Sequence, residues 1–116
     1  MTFQAIVDDY AVWHEISGHS PKTITWYRWV LTTFEQWLAR TGRSTQLTAI
    51  TIADARAFLK AEAERSELYG GTSVRPTTHK PLSDRTLHGY ARALRAFFRW
   101  CAAEGYLTTS PLERLT

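Results

Sequence analysis

At 116 residues the chain is long enough for one domain with a hydrophobic core and short for two. Its 14 Lys and Arg against 11 Asp and Glu, 44% hydrophobic residues and five tryptophans exclude a disordered charged tail, and the net charge of +3 permits an anionic partner without choosing one. The single cysteine, Cys101, excludes an internal disulfide framework, no apolar run reaches membrane-spanning length, and Asp8 and Asp9 sit where a secretory signal would be apolar, so the expectation is a soluble, cytoplasmic protein with no membrane partner.

The first predicted helix starts after Thr2, a plausible N-cap, and runs to about Ile16 with Phe3, Ile6, Tyr10 and Trp13 as its apolar stripe. Ser17-Gly18 ends it. Its remaining face forms no recognisable site, which leaves a structural role or a contact for a neighbouring subunit. The second helix has a strong start in Ser20-Pro21, because the proline ring supplies helical φ and removes a donor that would be unpaired anyway. Ile24, Tyr27, Val30, Leu31, Phe34 and Leu38 face the core, and Gly42 stops the helix. Trp26 and Trp29 flank that stripe; packing under the first helix is the expectation, exposure to a ligand the alternative.

A loop over Arg43–Ile50 leads to the third helix, where Thr51 and Asp54 form a near relative of a capping box. Ile52, Ala55, Phe58, Leu59 and Ala63 make its core face, and its mixed charges read as solvated surface. Tyr69–Pro81 has adjacent glycines, two prolines and no periodicity, so it reads as a loop, with Arg75, His79 and Lys80 placed to grip a phosphate backbone if the next helix meets DNA.

The fourth helix spans Ser83 to Gly105, with a Leu82–Leu87 staple at its entrance. Leu87, Tyr90, Leu94, Phe97, Phe98 and Cys101 form a buried stripe in which the thiol reads as an inert core residue. Opposite, Arg85, His88, Arg92, Arg95 and Arg99 recur at steps of three and four, a cationic row along one face. A solvated amphipathic helix is the plain alternative. Against it, the row has no interleaved carboxylate, and arginine forks suit phosphates and guanine edges. After Gly105, Tyr106-Leu107 folds back, and Ser110-Pro111 opens a short helical turn.

The fourth helix repeats the second without a gap. Ser20 and Ser83, Tyr27 and Tyr90, Leu31 and Leu94, Phe34 and Phe97, Trp37 and Trp100, Gly42 and Gly105 each lie 63 positions apart. Two copies suggest a closed, internally pseudo-symmetric bundle. The fold class is therefore all-α: a compact bundle of four main helices with a short C-terminal helical turn, one domain over residues 1–116. The face of the second helix equivalent to the cationic row carries Lys22, Thr25 and Trp29, polar and amphipathic groups that could lie along the same duplex.

No constellation for catalysis, metal or cofactor appears. His14, His19, His79 and His88 lack metal-ligand spacing, and there is no Gly-rich phosphate loop or nucleophile elbow.

The S-P-K-T-I-x-x-Y stretch from Ser20, followed by F-x-x-W-L, and the run L-S-D-R-T-L from Leu82 through F-F-R-W-C to G-Y-L-T-T-S-P-L, resemble the N-terminal core-binding domain of tyrosine recombinases, the phage-integrase and Xer-type enzymes. The resemblance implies a SAM-like domain forming one half of a clamp on double-stranded DNA, with further recombinase subunits as partners of the full protein and a monomeric fragment. It also implies a bacterial or phage-derived, nucleoid-associated protein. By position it points to Lys22 and Thr25 on the second helix and to Arg85, His88, Arg92, Arg95 and Arg99 on the fourth; Lys80 joins them from the preceding loop. The family's catalytic domain has no counterpart here and is expected beyond residue 116, so the fragment is not expected to be an enzyme. A helical protein-interaction module with a basic face is the competing function.

Overall fold

Helix starts are set by side-chain caps throughout the first half of the chain. In the computed structural model, which describes residues 2–72 and 84–115, the Thr2 hydroxyl accepts from the Ala5 amide at 3.1 Å and opens α1 (Phe3–Ile16). Ser20 does the same for the Thr23 amide at 3.2 Å and, with Pro21 in the first turn, opens α2 (Pro21–Arg40). A 3-10 turn, Leu47–Ala49, lies inside the expected loop and buries Leu47. Thr51 and Asp54 then cap each other reciprocally, Thr51 N donating to Asp54 Oδ2 at 2.9 Å and Asp54 N to Thr51 Oγ1 at 3.3 Å, at the head of α3 (Ile52–Thr72). The last long helix is α4 (Asp84–Ala103). Among the described residues all regular structure is helical.

One boundary differs from expectation. α3 continues through Tyr69, Gly70 and Gly71, where the sequence reads as a loop. Glycine weakens a helix by about 1 kcal/mol relative to alanine but, unlike proline, keeps its backbone donor, so the hydrogen-bond ladder runs on. The rest of that loop, and the Leu82 and Ser83 entrance of α4, lie outside the described residues.

Three helix ends, at Gly18, Gly42 and Gly105, share one device, and at two of them it matters for the surface. Gly18 and Gly105 adopt φ of 82° and 88°, the left-handed region open to glycine. Each closes the helix by double backbone bonds: His19 N to His14 O at 3.0 Å with Gly18 N to Glu15 O, and Tyr106 N to Cys101 O at 2.9 Å with Gly105 N to Ala102 O. The chain therefore doubles back, laying His19 over His14 and Tyr106 beside α1, where the Tyr106 hydroxyl donates to Asp9 Oδ2 at 2.5 Å.

The core is an aromatic cluster shared by all four helices. Phe34 and Phe97, equivalent in the two repeats, are both fully buried. Phe3 of α1 lies 6.5 Å from the Phe34 ring and 5.6 Å from that of Phe97, and Phe58 of α3 lies 5.1 Å from Phe34. Trp37 and Trp100, the other repeated pair, are buried at opposite flanks, Trp37 on Phe58 and Trp100 on Tyr10. Ion pairs tie the helices at the rim: Arg28 of α2 to Asp8 of α1 at 2.8 Å, and Arg43, which also lies over the Trp37 ring, to Asp54 of α3 at 3.3 Å. After α4 the short C-terminal turn drives Leu112 and Leu115 into the core, both essentially without exposure.

Candidate nucleic-acid interface

Burial of Tyr90, Leu94, Phe97, Phe98 and Cys101 fixes which face of α4 is outward. Arg85, His88 and Arg92 are exposed on it, and among the described residues none of them has a hydrogen-bonding or ion-pair partner. His88, Ala91, Arg92 and Arg95 line a shallow recess of about 250 Å³.

The far end of the row is engaged differently. Arg95 is half-buried and its Nη1 donates to the Leu115 carbonyl. Arg99 forms a two-pronged pair with Glu113, Nε to Oε1 at 3.2 Å and Nη2 to Oε2 at 3.0 Å. The Arg99 hydrogen bond holds the Glu113 carboxyl below the usual carboxylate range, and Glu113 in turn raises the Arg99 guanidinium. Between Arg85 and Arg99 the helix itself carries no carboxylate, but the C-terminal turn brings one to the row from fourteen residues away.

On α2, Lys22 and Thr25 are exposed near the helix start, and Thr25 shares a recess with Glu15, His19, Pro21 and Ile24. Lys80 lies outside the described residues. Trp26 and Trp29 do not pack under α1. They stack on each other with ring centroids 5.9 Å apart and planes 24° from parallel, and rest on Tyr90 of α4 at 5.5 and 5.6 Å. Trp26 lies over Gly89, where a Cβ would meet Trp26 Cζ2 at 3.6 Å, an ordinary contact. Trp26 keeps 38% and Trp29 47% of its surface exposed. The sequence places Trp29 on the face that could lie along a duplex, with packing under α1 as the expectation for both indoles; hydrophobic period alone does not show which partner a flanking indole meets.

A second, more apolar cleft of about 430 Å³ opens where α1, α2 and α4 meet, lined by Tyr10, Trp13, His14, Tyr27 and Trp100 among others. His14 Nδ1 faces His19 Nδ1 at 2.5 Å, so one ring must donate and the other accept. Among the described residues, His14 Nε2 and Trp100 Nε1 are buried without a hydrogen-bond partner. Burial, and then the neighbouring His19, lower the His14 pKa.

Reactive groups elsewhere are quenched. Burial pushes the Cys101 thiol up to about 12, and the Asp9 hydrogen bond pushes the Tyr106 phenol up to about 12, so neither is poised as a nucleophile. Among the described residues no group of three or more His, Cys, Asp or Glu could hold a metal ion, and no helix is long and apolar enough to cross a membrane.

No curated protein and no solved structure gives a significant match to the chain. The family model described as the phage integrase, N-terminal SAM-like domain, does, over residues 13–105, a span reaching from the end of α1 through the Gly105 turn and including both copies of the repeat, 20–42 and 83–105. The helical bundle is thus SAM-like, and it corresponds to the N-terminal part of integrases rather than to their catalytic domain. With its four helices, their shared aromatic core and that match, the chain belongs to the family of phage-integrase N-terminal SAM-like domains.

Proposed function

We propose that this domain binds double-stranded DNA through the outward faces of α2 and α4, as the non-catalytic half of a clamp in a tyrosine recombinase acting in DNA integration or excision. The observation that carries the reading is the trio Arg85, His88 and Arg92 on α4, exposed and unpaired among the described residues; Lys22 and Thr25 are likewise exposed on α2. Phosphate contacts supply most of the affinity, base edges little, so the isolated domain binds with modest sequence preference. Arg95 and Arg99 contribute once their contacts to Leu115 and Glu113 yield to phosphate. Strand cleavage belongs to a separate catalytic domain, and further recombinase subunits on the same DNA complete the assembly.

Titration of a labelled duplex at two salt concentrations tests this. With about four phosphates neutralised, affinity falls roughly a hundredfold between 50 and 200 mM salt. Arg92→Ala weakens binding to all sequences alike and reduces the slope of log K against log salt by about 1. Affinity indifferent to salt, or no binding in the low-salt sample, refutes the reading.

A further inference from the structure

The exposed indole pair sits inside the cationic surface. Gly89, against which Trp26 rests, lies four residues after Arg85 and three before Arg92, so those two arginines are its neighbours along the helix face. On the other side, Lys22 precedes Trp26 by four residues and Trp29 by seven, on the same face of α2. Two large rings, 38% and 47% exposed, are therefore bracketed by cations from both helices. Aromatic planes interleaved with positive charge are the elements from which single-strand binding surfaces are built: cations track the backbone while rings accept bases.

We infer that Trp26 and Trp29 form a stacking platform for an unpaired nucleobase, so that the domain prefers DNA containing an unstacked base to fully paired duplex. The inference rests on the DNA-binding reading and extends it. In paired B-form DNA the faces of the bases are covered by their neighbours and only their edges reach the grooves. An indole face can gain a partner only where a base has left the stack. The Trp26–Trp29 pair is already stacked at 5.9 Å and held from beneath by Tyr90, so a base adds one plane to an ordered assembly with little side-chain ordering left to do. The flanking cations fix the occupant as a polyanion, since the apolar centre of a protein-protein contact is depleted of charge.

The test compares a paired duplex with the same duplex carrying two unpaired thymines at its centre. Wild-type protein is expected to bind the second about 5- to 150-fold more tightly, the range given by stacking of one base on an aromatic ring. Trp29→Ala removes that preference, weakening binding to the duplex with unpaired thymines far more than to the paired one; Trp29→Phe, which keeps a ring, retains most of it. Arg92→Ala weakens both duplexes by the same factor. A measurement on the wild type alone guards against a variant that fails to fold: 2-aminopurine at the unpaired position is quenched on binding, whereas the same base within paired duplex is not. Equal affinity of the wild type for the two duplexes, equal weakening of both by Trp29→Ala, or an unquenched 2-aminopurine overturns the platform while leaving duplex binding intact. Absence of binding to either duplex overturns both readings.

Discussion

His14 has no place for a second proton. Its Nδ1 is committed to His19, its other nitrogen is buried without a partner, and the rings of Tyr10 and Tyr27 enclose it at 4.4 and 4.9 Å. The lowered pKa means the folded state holds the neutral ring while the unfolded chain protonates near 6.5. Between the two values the unfolded state binds more protons, so stability is complete above the unfolded value and declines as pH falls below it. Thermal midpoints measured between pH 8 and 5 should be level at first and then drop. In His14→Phe, which keeps the ring stack and removes the titrating group, most of that drop disappears. A wild-type midpoint that is flat through this window contradicts the account. At the same scale, the sequence indicated which Trp positions flank the core stripe but not which neighbour covers them. Periodicity assigns a direction on one helix, whereas what Trp26 and Trp29 meet depends on where α4 lies, here with Tyr90 against both rings.

The C-terminal turn acts as an element in its own right although it contains barely one turn. It buries Leu112 and Leu115 and also presents Glu113 to Arg99 and a carbonyl to Arg95. Glu113 thereby occupies a position that a phosphate oxygen could take, and it is solvent-exposed, so the pair contributes little to folding. Glu113→Gln should leave the melting curve almost unchanged, raise duplex affinity about two- to fivefold and steepen the salt dependence by about 1, the increment for one further phosphate contact. No gain in affinity places Arg99 outside the DNA-facing surface. Nothing in the spacing of the arginine row foretells this, because periodicity reads one helix at a time and the partners of Arg95 and Arg99 come from the turn folded over it. Cap chemistry is local by contrast, and Thr2, Ser20 and the Thr51–Asp54 pair could be assigned from single residues and their neighbours.

Across the whole molecule the repeat at a 63-residue offset is the feature that sequence reading carried furthest. It named Phe34 and Phe97, and both became centres of the core. Phe97 touches Phe3, Tyr10, Phe98 and Trp100, so it joins α1 to α4. Phe97→Ala should cost about 3–5 kcal/mol, the usual loss for a buried phenylalanine, against a total stability of about 5–15 kcal/mol for a domain of this kind. Chemical denaturation measures it, and a loss below about 1 kcal/mol would mean the cluster repacks around the gap. The site was less readable than the core because burial follows from hydrophobic period, while a binding surface depends on what the remaining faces meet. The Gly105 closure has a mechanical meaning as well. With Tyr106 tied to Asp9 on one side and the C-terminal turn tied to Arg95 and Arg99 on the other, the C-terminal end of α4 is held by polar contacts as well as by packing. Arg85 lies about 24 Å back along the helix from Cys101. The α4 cations therefore differ in kind: Arg95 and Arg99 meet an anion with part of their hydrogen-bonding capacity already taken, whereas Arg85, His88 and Arg92 offer theirs whole.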